Sequence, residues 1–458
     1  MFKGDEMECT PANISLPTSA CTALNLLESN SKEAWIVGGC VRDALMGRTY
    51  NDIDIATSAH WQDVQKIFED NGYRTFETGV KHGTITVEVD TRTFEITTYR
   101  SDGTYSDARH PDHVTFVNSI KEDLARRDFT VNAMAYHPQR GLFDPFHGQA
   151  DIAAHLIRCV GNPHKRLSED ALRIIRAVRF AGQLEFTIDP STAEAMDESK
   201  QLLKHIAVER IRAEWEKLLC SSGIHDALVN YIDVLGETIP ELLPLKGFDQ
   251  HTIYHRYDVL EHTAYVIQGV SPTPLLRWAA LFHDLGKPKA FSTDKDGAGH
   301  FYGHPKYSAE LARQAMKRLK MSPRFSHDVA LLVTYHDVDL QPEPKAVKRM
   351  IRKLDERPDL FRALCNLKHS DASAHAQGHR QKGMQKAIDL NLCLDRILAE
   401  KQPFSLKDLA MSGSDILALG VQPGPQIGTL LNQLLDEVID GRLPNDHNAL
   451  LAFAKQHI

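Results

Sequence analysis

The stretch IVGGCVRDALMGRTYNDIDIAT, residues 36–57, constrains this chain more than any other. Trp35-Ile36-Val37 is an apolar run of strand type, and Gly38-Gly39 follows with no spacer. Paired glycines permit a tight turn and a close approach of backbone to a ligand. Val41 to Met46 then suits a helical turn whose leading N–H groups face an anion. Further on comes Asp52-Ile53-Asp54-Ile55-Ala56. The side-chain period of a strand is two, so Asp52 and Asp54 share one side while Ile53 and Ile55 enter a core. Two carboxylates held side by side repel one another. A divalent cation that takes oxygen ligands, such as Mg²⁺ beside phosphates, relieves that repulsion.

At 458 residues the chain exceeds one hydrophobic core, and two to four units are expected. Hydrophobic (42%) and charged (25%) fractions are those of an ordinary globular protein, and the net charge of −8 excludes a generally basic nucleic-acid coat. Any surface for RNA must therefore be local. Seven cysteines (Cys9, Cys21, Cys40, Cys159, Cys220, Cys365, Cys393) include no Cys-x-x-Cys pair, so reduced thiols are expected rather than a disulfide frame. The opening residues lack the apolar run of a signal peptide, and no segment approaches a membrane span; a soluble, cytoplasmic protein is expected.

Periodicity orders the first half. A loose start leads into a helix from Ser19 to Ser29. Ser58 is placed to cap a helix with Trp61, Val64, Ile67 and Phe68 on one face, ended by Asn71-Gly72. Strands follow at 73–77, 84–89 and 93–100, and Glu95 lies in the last. Residues 101–116 are rich in Gly, Ser, Asp and His and read as a mobile loop. Ser119 and Glu122 form a capping box opening a helix through DLARRDFTVNAMAY, which presents Arg126, Arg127 and Asp128 together. Ser168 is read as the cap of EDALRIIRAVRFAGQLEF, with Ala171, Ile174, Ile175 and Val178 buried. On that helix Asp170 and Arg173 share a face, Arg176 continues it and Arg179 has drifted round.

The strings GGCVRD…NDIDIAT and RRDFTVNAMA resemble the signature of the DNA polymerase beta-like nucleotidyltransferases, in particular the tRNA CCA-adding enzymes and bacterial poly(A) polymerases. The resemblance implies catalytic, Mg²⁺-holding carboxylates at Asp52 and Asp54, with Glu95 at the place of a third. It implies nucleotide contacts from Gly39, Arg42 and Arg127, since guanidinium grips phosphate bidentately. The loop at 101–116 looks full length, as in enzymes that add the whole CCA.

EDALR resembles the family motif that reads the base, implying roles for Asp170, Arg173, Arg176 and Arg179. The chemistry fits. A carboxylate accepts from the exocyclic amino group of adenine or cytosine, and a guanidinium donates to the neighbouring ring acceptor. Uracil and guanine present a carbonyl there, leaving the carboxylate facing another acceptor at roughly 1–3 kcal/mol. Glu209-Arg210 resembles a motif that braces the neck helices and is read as structural.

From about residue 250 histidines crowd the sequence. His262, His283-Asp284 and Asp371 resemble the ligand order of the HD phosphohydrolases, with His304 and His336 as candidates for a second metal. Imidazoles with carboxylates suit a divalent transition metal or Mg²⁺ that activates water. Phosphatase or 2′,3′-cyclic phosphodiesterase activity is implied there.

The expected fold class is α+β. A leader and short helix (1–30) precede a nucleotidyltransferase head with a mixed sheet (31–150). A helical neck (151–245), an HD domain (246–380) and a helical tail (381–458) follow. The expected function is addition of C, C and A to a tRNA 3′ end from CTP and ATP by two-metal phosphoryl transfer, with no protein partner. The alternatives are a poly(A) polymerase, a CC- or A-adding enzyme, or primarily an HD nucleotide phosphohydrolase. Poly(A) polymerases usually carry a strongly basic tail, and the ending DGRLPNDHNALLAFAKQHI is not one.

Overall fold

A computed structural model of the chain describes residues 9–50, 52–102, 114–252 and 256–458. It divides into two compact units, Met1–Gly223 with Asp233–Thr238 and Ile224–Ile232 with Ile239–Ile458. Among the described residues no helix is long and apolar enough to cross a membrane. All seven cysteines are free thiols.

The first unit is built on an eight-stranded mixed sheet. Its strands are β1 (Cys9–Thr10), β2 (Ala34–Val37), β3 (Asp54–Thr57), β4 (Arg74–Gly79), β5 (Thr84–Val89), β6 (Arg92–Thr98), β7 (Ala135–His137) and β8 (Gly141–Phe143). Their order is β1-β8-β7-β2-β3-β6-β5-β4, and only the β3–β6 pairing is parallel. Alternation divides the core between the two faces. Ile36, Ile53 and Ile55 join Leu24, Leu27, Val64 and Phe68 in one cluster; Trp35, Val37 and Ala56 join Tyr99, Leu124 and Phe143 in the other. The early helix runs from Thr18 to Ser29, as expected, and Ala20, Ala23, Leu24 and Leu27 are buried in the first cluster.

Three capping expectations fail for one reason: the hydroxyls are engaged elsewhere or left out of the cap. Ser58 Oγ accepts the Glu33 N–H, and His60 precedes the Trp61–Asp70 helix. Ser119 precedes the short Ile120–Ala125 helix without a side-chain cap bond, and Arg126, Arg127 and Asp128 lie beyond its end. Ser168 sits inside a helix, Pro163–Glu169, that starts one turn earlier. There Asn162 Oδ1 accepts the Lys165 N–H and Pro163 fills the first position. The chain then breaks at Asp170, which is extended (φ −140°, ψ 102°) and accepts the Leu172 N–H. A carboxylate that bonds its own downstream backbone competes with the helix ladder. A second helix, Leu172–Leu184, resumes and packs on Val208–Leu219. The loop expected at 101–116 lies largely outside the described residues; its ends, Arg100–Asp102 and Val114–Phe116, pair as a short antiparallel ribbon.

The second unit is helical. Helices Val259–Gly269, Pro274–Phe282, His304–Arg318, Pro323–Tyr335 and Pro358–Ser373 pack together, and Pro358–Ser373 runs against Gln377–Ala399. The C-terminal part has its own core from Leu409 to Ala454. Two capping boxes start it, Ser405 with Asp408 and Ser412 with Asp415, and helices Gly413–Ala418 and Pro425–Ile439 flank the Pro-Gly-Pro turn as expected.

Candidate active sites

β3 carries the first site. Asp52 and Asp54 are exposed at its leading end while Ile53 and Ile55 are buried, as strand alternation requires. β6 runs parallel to β3 with Glu95 paired to Asp54, so the two side chains leave the same face. Partial desolvation raises the Asp54 pKa, the Arg127 guanidinium lowers it, and Glu95 and Asp52 raise it again, with a net upward shift. Three exposed carboxylates, two of them near enough to raise the pKa of the third, are a donor set that suits a divalent cation.

Gly38 closes the site from β2. Its φ is +80°, and a Cβ there would lie 2.9 Å from Arg127 Nη1 and 3.7 Å from Asp54 Oδ2. The missing side chain leaves room for the arginine beside the turn, near enough to Asp54 to lower its pKa. Gly39 opens the seven-residue helix Gly39–Leu45 that carries Arg42. Arg42 is buried and held: Nε donates to Asp43 (2.9 Å), Nη1 to Asn132 Oδ1 (2.6 Å), and the group lies over the Phe180 ring. Its guanidinium lies beside Gly39, where a Cβ would be 3.6 Å from Nη2.

The pair Arg126-Arg127 is organised by Asp123, which is fully buried. Arg126 donates to it at 2.8 and 3.0 Å, and Arg127 at a looser 3.4 Å. Burial would raise the Asp123 pKa; the two guanidiniums bring it below the usual carboxylate value. Arg127 is thus the less committed of the two, and it is the one beside Asp54.

The base-reading set is distributed differently from its sequence order. Asp170 pairs with Arg210 Nη2 at 2.9 Å, not with Arg173. Arg173 donates to Glu169 Oε2 and the Arg166 carbonyl, both at 2.8 Å, and to the Arg126 carbonyl at 3.1 Å. Arg176 grips Asp128 at 2.6 and 2.9 Å and nears Glu214. Burial opposes ionisation of Asp128, yet Arg176 and Asn132 hold its carboxyl far below the usual range. Arg179 is buried, bonded to Glu214 and Gln183 and laid over Phe180. Sequence reasoning placed all three arginines at the base; the structure ties Arg173 and Arg176 to the head through the Arg126 carbonyl and Asp128, and Arg179 to Glu214 and Gln183 within the neck. Glu214 is the partner it missed, and Asp128, singled out beside Arg126 and Arg127, proves to pair with Arg176 instead.

The second unit gathers every His and Asp expected of it. His262 Nε2 lies 3.0 Å from Asp371 Oδ1 and 3.5 Å from Asp284 Oδ2; His283 Nε2 lies 3.1 Å from Asp284 Oδ2 without hydrogen-bond geometry. His304 and His336 flank the other oxygen of Asp284 at 3.2 and 3.7 Å. His375, which sequence order did not single out, joins Asp371 at 3.4 Å. Lys287 Nζ touches Asp284 at 2.7 Å.

Tautomers decide what this cluster can hold. Nδ1 of His283, His304 and His336 each meets a backbone carbonyl, of Ala280, Phe301 and Val333, at 2.7–3.0 Å. A neutral ring that donates from Nδ1 has only a lone pair on Nε2. His304 Nε2 and His336 Nε2 are 3.2 Å apart. With both rings neutral the two lone pairs face each other and repel, so the contact needs either a proton shared between the rings or a metal cation beside them, and backbone-anchored imidazoles are the arrangement metal ligands use. Burial lowers the His262 pKa to about 4, keeping the ring in its ligating form. Three overlapping triads could each hold a divalent ion: His262, His283 and Asp284; His262, Asp371 and His375; and Asp284, His304 and His336.

Comparison with known proteins bears on the chain as a nucleotidyltransferase. The poly A polymerase head domain matches residues 34–158, an RNA- and SrmB-binding segment of polymerase A matches 185–233, and tRNA nucleotidyltransferase domain 2 matches 300–454. The CCA-adding enzyme of Lacticaseibacillus paracasei is 33% identical over 440 residues, 96% of each chain. That of Levilactobacillus brevis is 35% identical over 94% of this chain and 95% of its own length. The crystal structure of the Bacillus stearothermophilus CCA-adding enzyme in complex with CTP superposes with a TM-score of 0.71, at 28% identity, covering 96% of this chain and 97% of that one. An open carboxylate face on a mixed sheet, a helical remainder and relatives of this identity along nearly the whole length place the chain in the CCA-adding enzyme family of nucleotidyltransferases.

Proposed function

We propose that the first unit adds C, C and A to a tRNA 3′ end, taking CTP and ATP as substrates. The observation that carries this reading is the register of Asp54 with Glu95 beside Asp52, under a glycine turn that admits Arg127. Membership of the family implies dependence on a divalent metal; Asp52 and Asp54 are the residues that would hold Mg²⁺, with Glu95 beside them. Bound there, a metal pair supplies activation of the 3′-hydroxyl and neutralises charge on the leaving pyrophosphate. Arg127 binds the triphosphate from the side of Gly38 and Gly39. Asp170 accepts the amino group common to cytosine and adenine, and Arg173, Arg176 and Arg179 hold the neck that presents it.

Labelled CTP and ATP, offered separately and together to tRNA ending before CCA, at its first C or at its second C, test the proposal. Stepwise addition that stops after A is the expected result. A long A ladder would mean poly(A) synthesis, and use of only one nucleotide would mean a split activity.

A second reading belongs to the second unit: metal-dependent hydrolysis of a phosphate ester, with 2′,3′-cyclic phosphates as the substrates to try. It is favoured by the opposed lone pairs of His304 and His336. An ion held by the cluster would supply an activated water; Lys287 offsets the charge on Asp284, and the partly exposed Asp371 and His375 mark the side from which substrate enters. Hydrolysis unaffected by chelation and metal repletion would remove this reading.

A further inference from the structure

The Asp170 carboxylate has about four lone-pair directions, and among the described residues three are taken. Oδ1 accepts the Leu172 N–H at 3.1 Å and Arg210 Nη1 at 3.4 Å; Oδ2 accepts Arg210 Nη2 at 2.9 Å. Arg210 comes from another element, the Val208–Leu219 helix, and reaches across to the break between Pro163–Glu169 and Leu172–Leu184. The Arg210 side chain is 30% exposed and that of Asp170 16%, so the pair lies at the surface of the neck rather than sealed inside it. Arg173, by contrast, is buried and committed to one carboxylate and two carbonyls.

We propose that Arg210 is a specificity-determining residue: it fixes the Asp170 carboxylate so that one lone pair, on Oδ2, is aimed at the exocyclic amino group of the incoming base. The inference rests on Asp170 being the base-reading carboxylate. A carboxylate free to rotate offers its oxygens to many geometries and can take up a water or a proton in place of the amino donor. A carboxylate clamped by a guanidinium stays ionised and points one way, so a base with a carbonyl at that place meets only repulsion. Arg210 acts through Asp170. It is a positioning residue, distinct from a brace that would serve all nucleotides alike.

Single-nucleotide incorporation by the full chain and by R210A, R210K and D170A tests this. CTP and UTP are offered to tRNA ending before CCA, and ATP and GTP to tRNA ending at its second C. R210A is expected to lower the CTP-over-UTP and ATP-over-GTP ratios of kcat/KM by about tenfold, the worth of one mispaired polar group. The loss should fall mainly on KM for the correct nucleotide, and R210K, which keeps the charge but not the fork, should recover part of it. An equal loss for all four nucleotides would make Arg210 a brace and overturn the proposal. If D170A keeps the wild-type ratios, the base-reading assignment itself fails, and the Arg210 inference with it. If D170A loses them and R210A does not, only the Arg210 inference fails. Should R210A fold poorly, R210Q, judged against wild type by thermal melting, carries the same comparison.

Discussion

In the first unit Asp52, Asp54 and Glu95 stand exposed on neighbouring strands, whereas in the second His262, His283 and Asp284 are fully buried among five helices. The strand site owes its geometry to backbone pairing: once β3 and β6 are in parallel register, two carboxylates share a face whatever surrounds them. The helix site has no such local rule. Its ligands come from five helices or their ends, and three rings are oriented by carbonyls one turn upstream. An open face suits a large acceptor and a triphosphate; a buried nest suits a small phosphate group and a tightly held ion.

The contrast sets the expected sizes of effects. Asp54→Ala should lower CMP incorporation by on the order of 10³-fold or more, because a metal carboxylate supplies several kcal/mol of transition-state stabilisation. Hydrolysis by the second unit should not change; a parallel loss would mean that the two sites are not independent.

Asp128→Asn breaks a buried ion pair with Arg176, which costs about 3–5 kcal/mol. Thermal melting should show it. The sign with pH follows from the depressed folded pKa: stability from this pair is full above the carboxylate's ordinary 3.8 and is lost as pH falls through the lower folded value. Wild type should therefore lose stability below about pH 4 more steeply than the variant; equal acid limbs would refute the assignment.

Asp284→Asn should remove most bound metal from the second unit, by about 10- to 100-fold in affinity or more. Metal analysis after dialysis measures this, and CCA addition should persist. The smallest effect is expected at Glu95. Glu95→Gln should slow incorporation by about tenfold, with a raised Mg²⁺ requirement, if the third carboxylate only tunes the field at Asp54. A loss as large as that of Asp54→Ala would make Glu95 a full ligand.

Much of the site was legible because it was local. Strand alternation separated Asp52 and Asp54 from Ile53 and Ile55, and His283-Asp284 ended its apolar helix where expected, after Phe282. Helix starts were less legible: Ser58, Ser119 and Ser168 each look like caps, yet none supplies a side-chain cap bond. A hydroxyl can serve several backbone groups, and only the packed chain selects one.

The sequence by itself determined which residues carry charge or a lone pair and which period they follow, since periodicity is a property of adjacent residues. It could not determine that Asp170 would pair with Arg210 forty positions away, that Arg176 would be bound by Asp128, or that His375 would complete the His-Asp nest. Those pairings depend on how helices cross. A buried charge takes whichever partner the packing brings within reach, because leaving it unpaired costs more than any local preference.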